Sequence, residues 1–200
     1  MRIMSCSDLH GDRSLAERLA KRAEQEGVEL VIMCGDLTFF DEEPKGIMQP
    51  FLKRKQKVLF VPGNHDSHAT ASVLAHEYKA KNLHGYSVRY EDIGIFGCGK
   101  ANIGFEALDE DEIAATLRKA HEHISYLSKK IMVTHVHPSG TSAEKMTRFL
   151  APSPGVRRAI EELQPDIAFC GHVHEAEGLE ERIGKTRVIN VGRRGFIFEI

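Results

Sequence analysis

Five times along this chain a short apolar run stops at a cluster of aspartate, asparagine or histidine. The runs are Arg2 to Cys6, Glu29 to Cys34, Lys57 to Val61, Lys130 to Thr134 and Asp166 to Cys170. The clusters after them are Asp8-Leu9-His10-Gly11, Gly35-Asp36, Gly63-Asn64-His65-Asp66, Thr134-His135-Val136-His137 and Gly171-His172-Val173-His174. A run such as Leu30-Val31-Ile32-Met33, apolar without alternation, predicts a buried strand. A smaller echo marks the same places: Cys6-Ser7-Asp8, Cys34-Gly35-Asp36, Cys98-Gly99-Lys100 and Cys170-Gly171-His172. Strands that end at one edge and hand their next residues to a shared crevice would read this way. The cysteines are then small apolar packers beneath the crevice, not metal ligands.

Between strands the spacing becomes helical. Ser14 to Glu26 reads as an amphipathic helix, opened by a capping box of Ser14 with Glu17 and closed by Gly27. Helices are also expected near Gly46 to Arg54, over Ala69 to Ala80 and over Asp109 to Ser128. In the last, Ile113, Leu117, Ala120, Ile124 and Leu127 recur at helical spacing. Tyr86 to Tyr90 and Ile93 to Phe96 predict strands around a Glu91-Asp92 turn. Leu179 to Ile183, Thr186 to Val191 and Phe196 to Ile200 are further strand candidates. Pro138 to Pro154, rich in proline, serine and threonine, reads as a surface excursion able to overhang a site. No repeat or low-complexity tract divides the chain, so one domain over residues 1–200 is expected.

Composition narrows the classes. With 42% hydrophobic residues there is apolar mass for a core, and a net charge of -2 gives no basic field for a nucleic-acid polymer. No apolar run approaches the ~20 residues that span a bilayer. Met1 to Asp8 lacks an apolar secretory segment, and the four cysteines form no CxxC pair. Reduced thiols and a cytoplasmic location are therefore expected. Phe196 to Ile200, if an edge strand, offers a route to a homo-oligomer.

Six of the eleven histidines fall in the strand-end clusters. Of the others, His76, His84, His121 and His123 read as solvated, while His68 lies close to Gly63-Asn64-His65-Asp66. In extended chain, residues i and i+2 face the same side, so Asp8 with His10, and His172 with His174, can each present two donors to one cavity. Imidazole with carboxylate suits manganese, iron, zinc, nickel or cobalt better than calcium.

The series D-x-H, G-D, G-N-H-D, a later strand-end histidine and G-H-x-H resembles the calcineurin-like metallophosphoesterase superfamily, in order and over Asp8 to His174. The resemblance implies an α/β fold, a four-layer α/β/β/α sandwich of two mixed sheets flanked by helices. It implies two divalent metal ions, manganese in the first instance, with iron, nickel, zinc or cobalt as alternatives. Asp8, His10, Asp36 and His174 would hold one; Asp36 would bridge to the other, which Asn64, His135 and His172 complete. His65 would assist the leaving group after attack of a metal-bridging hydroxide on a small phosphate ester.

Departures from the pattern bear on the substrate. The superfamily's protein phosphatases show G-D-x-x-D-R-G and G-N-H-E-x-R, whereas Leu37-Thr38-Phe39-Phe40 follows Asp36 and His68 stands at the arginine's place. The chain is instead similar to short, uncapped bacterial and archaeal members, which implies hydrolysis of a phosphodiester or small phosphomonoester. His68, His137, Arg193 and Arg194 are candidates for substrate contact, with Lys100 and Arg148 as further cations near site-forming segments. Two alternatives share the fold: a catalytically silent scaffold for protein interaction, which typically lacks the G-N-H-D histidine or some ligands, and a nuclease, which typically adds basic surface.

Overall fold

Arg2–Cys6 (β1), Leu30–Cys34 (β2), Lys57–Val61 (β3) and the two-residue Lys81–Asn82 (β4) lie side by side and parallel. The computed structural model describes residues 1–42 and 46–200. Phe196–Glu199 (β11) closes the free side of β1 antiparallel, completing a mixed five-stranded sheet. The second sheet has six strands: Ser87–Tyr90 (β5), Ile93–Cys98 (β6), Lys129–Thr134 (β7), Ile167–Cys170 (β8), Glu180–Ile183 (β9) and Thr186–Asn190 (β10). Its order is β5-β6-β7-β8-β10-β9, with β5 and β9 antiparallel at the edges and parallel strands between them.

Strand periodicity sorts the side chains into layers. Ile3, Leu30, Ile32, Leu59 and Val61 from one sheet share a buried cluster with Ile95, Ile131, Val133, Phe169 and Ile189 from the other, so the sheets pack face to face. The alternate residues Met4, Val31, Met33, Val58 and Phe60 point outward against Arg13–Gln25 (α1), Gln49–Lys53 (α2) and His68–Tyr78 (α3). On the opposite flank Phe96, Met132 and Ala168 meet Glu110–Glu122 (α4) and Pro154–Leu163 (α6). The short Ala143–Met146 (α5) precedes α6 in the chain. This is the expected α/β/β/α order, and β2 and β8 are continuously apolar because both their faces are covered.

The local differences have local causes. Helix α1 is capped by Asp12, whose side chain accepts from the Leu15 N–H at 2.8 Å, so Ser14 lies inside the helix and forms no capping box with Glu17. Helix α4 does carry a capping box, Asp109 with Glu112, but ends at Glu122. Ile124 and Leu127 stay buried from the turns beyond it, which is why their spacing read as helix. Helix α6 escaped the sequence reading, although Ser153 as cap, Pro154 in the first turn and Val156, Ala159, Ile160 at helical spacing announce it. Two histidines expected in solvent are partly buried: His84 accepts from the Gly99 N–H at 3.1 Å, and His121 packs on Phe96.

Candidate metal centre

Strands β1, β2, β3, β7 and β8 deliver their polar clusters to one place. The Asp8 N–H donates to the Gly35 carbonyl at 3.0 Å, His172 N–H to Asp8 Oδ2 at 3.2 Å, and Gly171 N–H to the His135 carbonyl at 2.9 Å. The third residue of each Cys-x-polar echo turns out of its strand with positive φ: 58° at Asp8, 51° at Asp36, 71° at Lys100 and 71° at His172. Left-handed backbone costs a residue with a Cβ about 1–3 kcal/mol, and such strain persists where surrounding structure holds it. Glycine allows the crowding: a Cβ on Gly63 would run into the Asp36 carboxylate, and one on Gly171 into Ser7.

The donor atoms form overlapping groups. Asp8, His10 and His174 each place one ligand atom within 4.8 Å of the others, as do Asp36, His135 and His172, and also His10, Asp36 and His65. Asp36 is common to the second and third groups, and its Oδ2 is 3.4 Å from His135 Nε2 and 3.8 Å from both His10 Nε2 and His65 Nε2. His174 Nε2 is 3.5 Å from Asp8 Oδ1 and 3.4 Å from His10 Nε2. Asn64 Oδ1 and His172 Nδ1 lie 2.8 Å and 3.1 Å from His135 Nε2.

Electrostatics follow from burying two carboxylates among imidazoles. Burial opposes the charge on Asp36, but the facing His135 outweighs it and holds the carboxyl well below its usual range. Burial likewise opposes the charge on His135, yet Asp36 lifts that imidazole to about 9. Burial and the His135 charge push His172 down to about 3, so it stays neutral with a lone pair to offer. Burial also raises the thiols, Cys34 and Cys98 to about 12, and all four cysteines are free, buried and protonated. They pack beneath the site, and among the described residues none belongs to a donor group.

This donor set fits divalent cations. Asp8 Oδ1 is buried with no hydrogen-bond partner, and Asn64 Oδ1, His172 Nδ1 and Asp36 Oδ2 crowd within 3.4 Å of His135 Nε2. Lone pairs brought so close repel unless a proton or a metal ion lies among them.

Above these groups opens a cavity of about 520 Å³, whose lining includes His10, Asp36, Asn64, His65, His172 and His174. Thr147, Phe149 and Leu150 from the segment after α5 form part of its wall, as the overhang expected of Pro138 to Pro154 requires. None of the four candidates for substrate contact lines it. His68 opens α3 and sits 3.9 Å from Glu106. His137 is wholly buried beside His172, in a separate small cavity with Asn190. Arg193 pairs with Asp12 at 2.8 Å and the exposed Arg194 lies near Glu177, both facing α1. Lys100 is buried too, its Nζ donating to Glu106 at 2.7 Å and to the Asp66 carbonyl at 2.5 Å. Arg148 is exposed beside the wall, outside the lining.

Two contributors went unassigned in the sequence. Asp66, buried, accepts from the backbone N–H groups of Leu37, Thr38 and Gly63 and from the Thr38 hydroxyl at 2.7–3.1 Å, pinning the Asp36 loop to the Asn64 loop. Its place as the last residue of G-N-H-D was the available signal. Phe39 stacks on His65 with ring centroids 5.2 Å apart; only its distance of three residues from Asp36 hinted at that.

The family model described as Calcineurin-like phosphoesterase superfamily domain matches residues 1–197. Among solved structures, TT1561 of Thermus thermophilus superposes with a TM-score of 0.76 at 19% identity, covering 96% of this chain and 88% of that one. The phosphopantetheinyl hydrolase PptH from Mycobacterium tuberculosis does so with a TM-score of 0.63 at 14% identity, over 95% and 88%. A dimetal phosphatase from Danio rerio also gives 0.63, at 12% identity, over 96% and 88%. Likeness at these identities is likeness of fold. No curated protein sequence matches significantly.

Proposed function

The chain belongs to the calcineurin-like phosphoesterase superfamily, and from that premise we propose that it hydrolyses a phosphodiester or small phosphomonoester at a dinuclear metal centre. The observation that carries this reading is the position of Asp36, a buried carboxylate shared between a group with His10 and a group with His135 and His172. Asp8, His10, Asp36 and His174 would hold one divalent ion; Asp36, Asn64, His135 and His172 the other. Manganese is the first choice for imidazole with carboxylate, and iron, nickel, zinc or cobalt suit the same donors. When bound, two such ions acidify water towards neutral pH and neutralise phosphoryl oxygens as charge shifts in the transition state.

The chain's own residues do the rest. Asn64 gives a neutral oxygen where a further carboxylate would quench Lewis acidity. The Nδ1–H of His135 is fixed by the Cys34 carbonyl at 2.8 Å, which turns Nε2 towards Asp36. Hydrolysis breaks a P–O bond, and the departing oxygen needs a proton or a hydrogen bond. We assign that role to His65, which lies at the cavity wall in contact with Phe39 and Phe40.

The test is release of p-nitrophenol from p-nitrophenyl phosphate and its bis ester, with manganese and after chelation. Metal-dependent turnover is expected, with His65→Ala slower by about 100-fold or more. No metal-stimulated turnover of any monoester or diester would overturn the reading in favour of a silent scaffold.

A further inference from the structure

We infer that the mouth of this cavity selects phosphate esters bearing an aromatic group; the inference rests on the phosphoesterase reading above and narrows its substrate class. Among the described residues no lysine or arginine lines the cavity, and the charge it carries besides the candidate ligands is the carboxylate of Glu175. A polyphosphate or a heavily charged sugar phosphate would find no cationic side chain in that lining and one repulsive carboxylate.

The rim offers rings instead. Phe39 is in the lining; Phe40, just outside it, meets Phe39 edge-on at 4.8 Å, each ring 49% exposed, and Phe105, also outside the lining, lies 5.6 Å from Phe40. The backbone puts them there: a bridge between Phe39 and Glu42 closes a tight turn with Phe40 at φ 50° and Asp41 at 62°. A bulky aromatic residue seldom adopts that conformation. The turn is tied to the His65 loop, since Asp41 N–H donates to the His65 carbonyl and Ser67 N–H to Asp41 Oδ1. The turn is thus anchored beside His65, and the rings of Phe39 and Phe40 both contact that imidazole. On another wall Leu150 packs on the cluster of Ala143, Val173 and Ala176, while Phe149 stands 89% exposed at the cavity. Exposed rings held by local structure beside a polar centre are a surface for a ring of the substrate.

Phenylphosphonate and methylphosphonate carry the same anion and differ in the ring, and neither has an ester bond to hydrolyse. Calorimetry on the manganese-loaded protein should give phenylphosphonate about tenfold tighter binding, the scale of one ring stacking and leaving water. Phe149→Ala, a change outside the core, and Phe39→Leu should each cut that preference to about threefold or less. Equal affinities in the wild type, or a preference that both variants keep, would overturn the inference and leave the phosphoesterase reading standing. Binding of neither phosphonate would remove both.

Discussion

His135 Nε2 lies 2.8 Å from Asn64 Oδ1, and the other nitrogen of that ring must donate, because its neighbour at 2.8 Å is the Cys34 carbonyl. A carbonyl oxygen and a ring lone pair do not face each other at that distance without a positive charge between them. In the metal-free protein the charge is a proton, which Asp36 retains on His135 up to about pH 9. In the loaded protein it would be a metal ion.

Metal uptake should therefore expel that proton. At pH 7.5 the calorimetric heat of manganese binding should vary with the ionisation heat of the buffer, reporting release of about one proton or more; above pH 10 the dependence should shrink. The metal-free fold should respond as well. A histidine raised from 6.5 to about 9 stabilises the fold fully below pH 6.5 and loses that contribution as pH rises through 9. The melting temperature of the metal-free protein should fall across that window. A buffer-independent heat at pH 7.5 would show that His135 was already neutral.

Asp36→Asn should cost more activity than any other single ligand change, at least about 100-fold, since even residues behind metal ligands are worth 10–100-fold. Asparagine tolerates the 51° φ of this position, so the loss should come without unfolding. Rates showing Asp36→Asn milder than His10→Ala would contradict the shared role.

Asp66→Ala should destabilise the fold by about 3 kcal/mol or more, because it strands buried N–H groups of Leu37, Thr38 and Gly63. Urea unfolding checks this, and a change below about 1 kcal/mol would mean the loops are held by other contacts.

Gly63→Ala places a methyl group against the Asp36 carboxylate and backbone. Manganese affinity should fall by about tenfold or more while far-UV circular dichroism is retained, as expected when a ligand is displaced inside an intact sheet. Unchanged affinity would mean that Asp36 can move without consequence.

What the sequence made legible, and what it hid, divides along physical lines. Buried strands announce themselves, because both faces of β2 must be apolar and Leu30 to Met33 can be little else. The convergence of Asp8, Asp36 and His172 followed from polar residues closing such strands at one edge. Long side chains were opaque. Arg193 and Arg194 follow a strand that runs beside β8, but φ of 54° at Gly192 turns the chain away and they find Asp12 and Glu177. Lys100 holds a loop from within the core, where its carbonyl and carboxylate partners come from segments no spacing rule connects. Helix α6 was missed although its cap and spacing were present. The phenylalanine rim depends on backbone angles at Phe40 and Asp41 that their residue types argue against.

An anomalous difference map from crystals soaked in manganese is the decisive check on the shared-carboxylate centre. Two peaks about 3.5–4 Å apart are expected, one on either side of the Asp36 carboxylate. One peak touching only Asp8, His10 and His174, or none near Asp36, would contradict it.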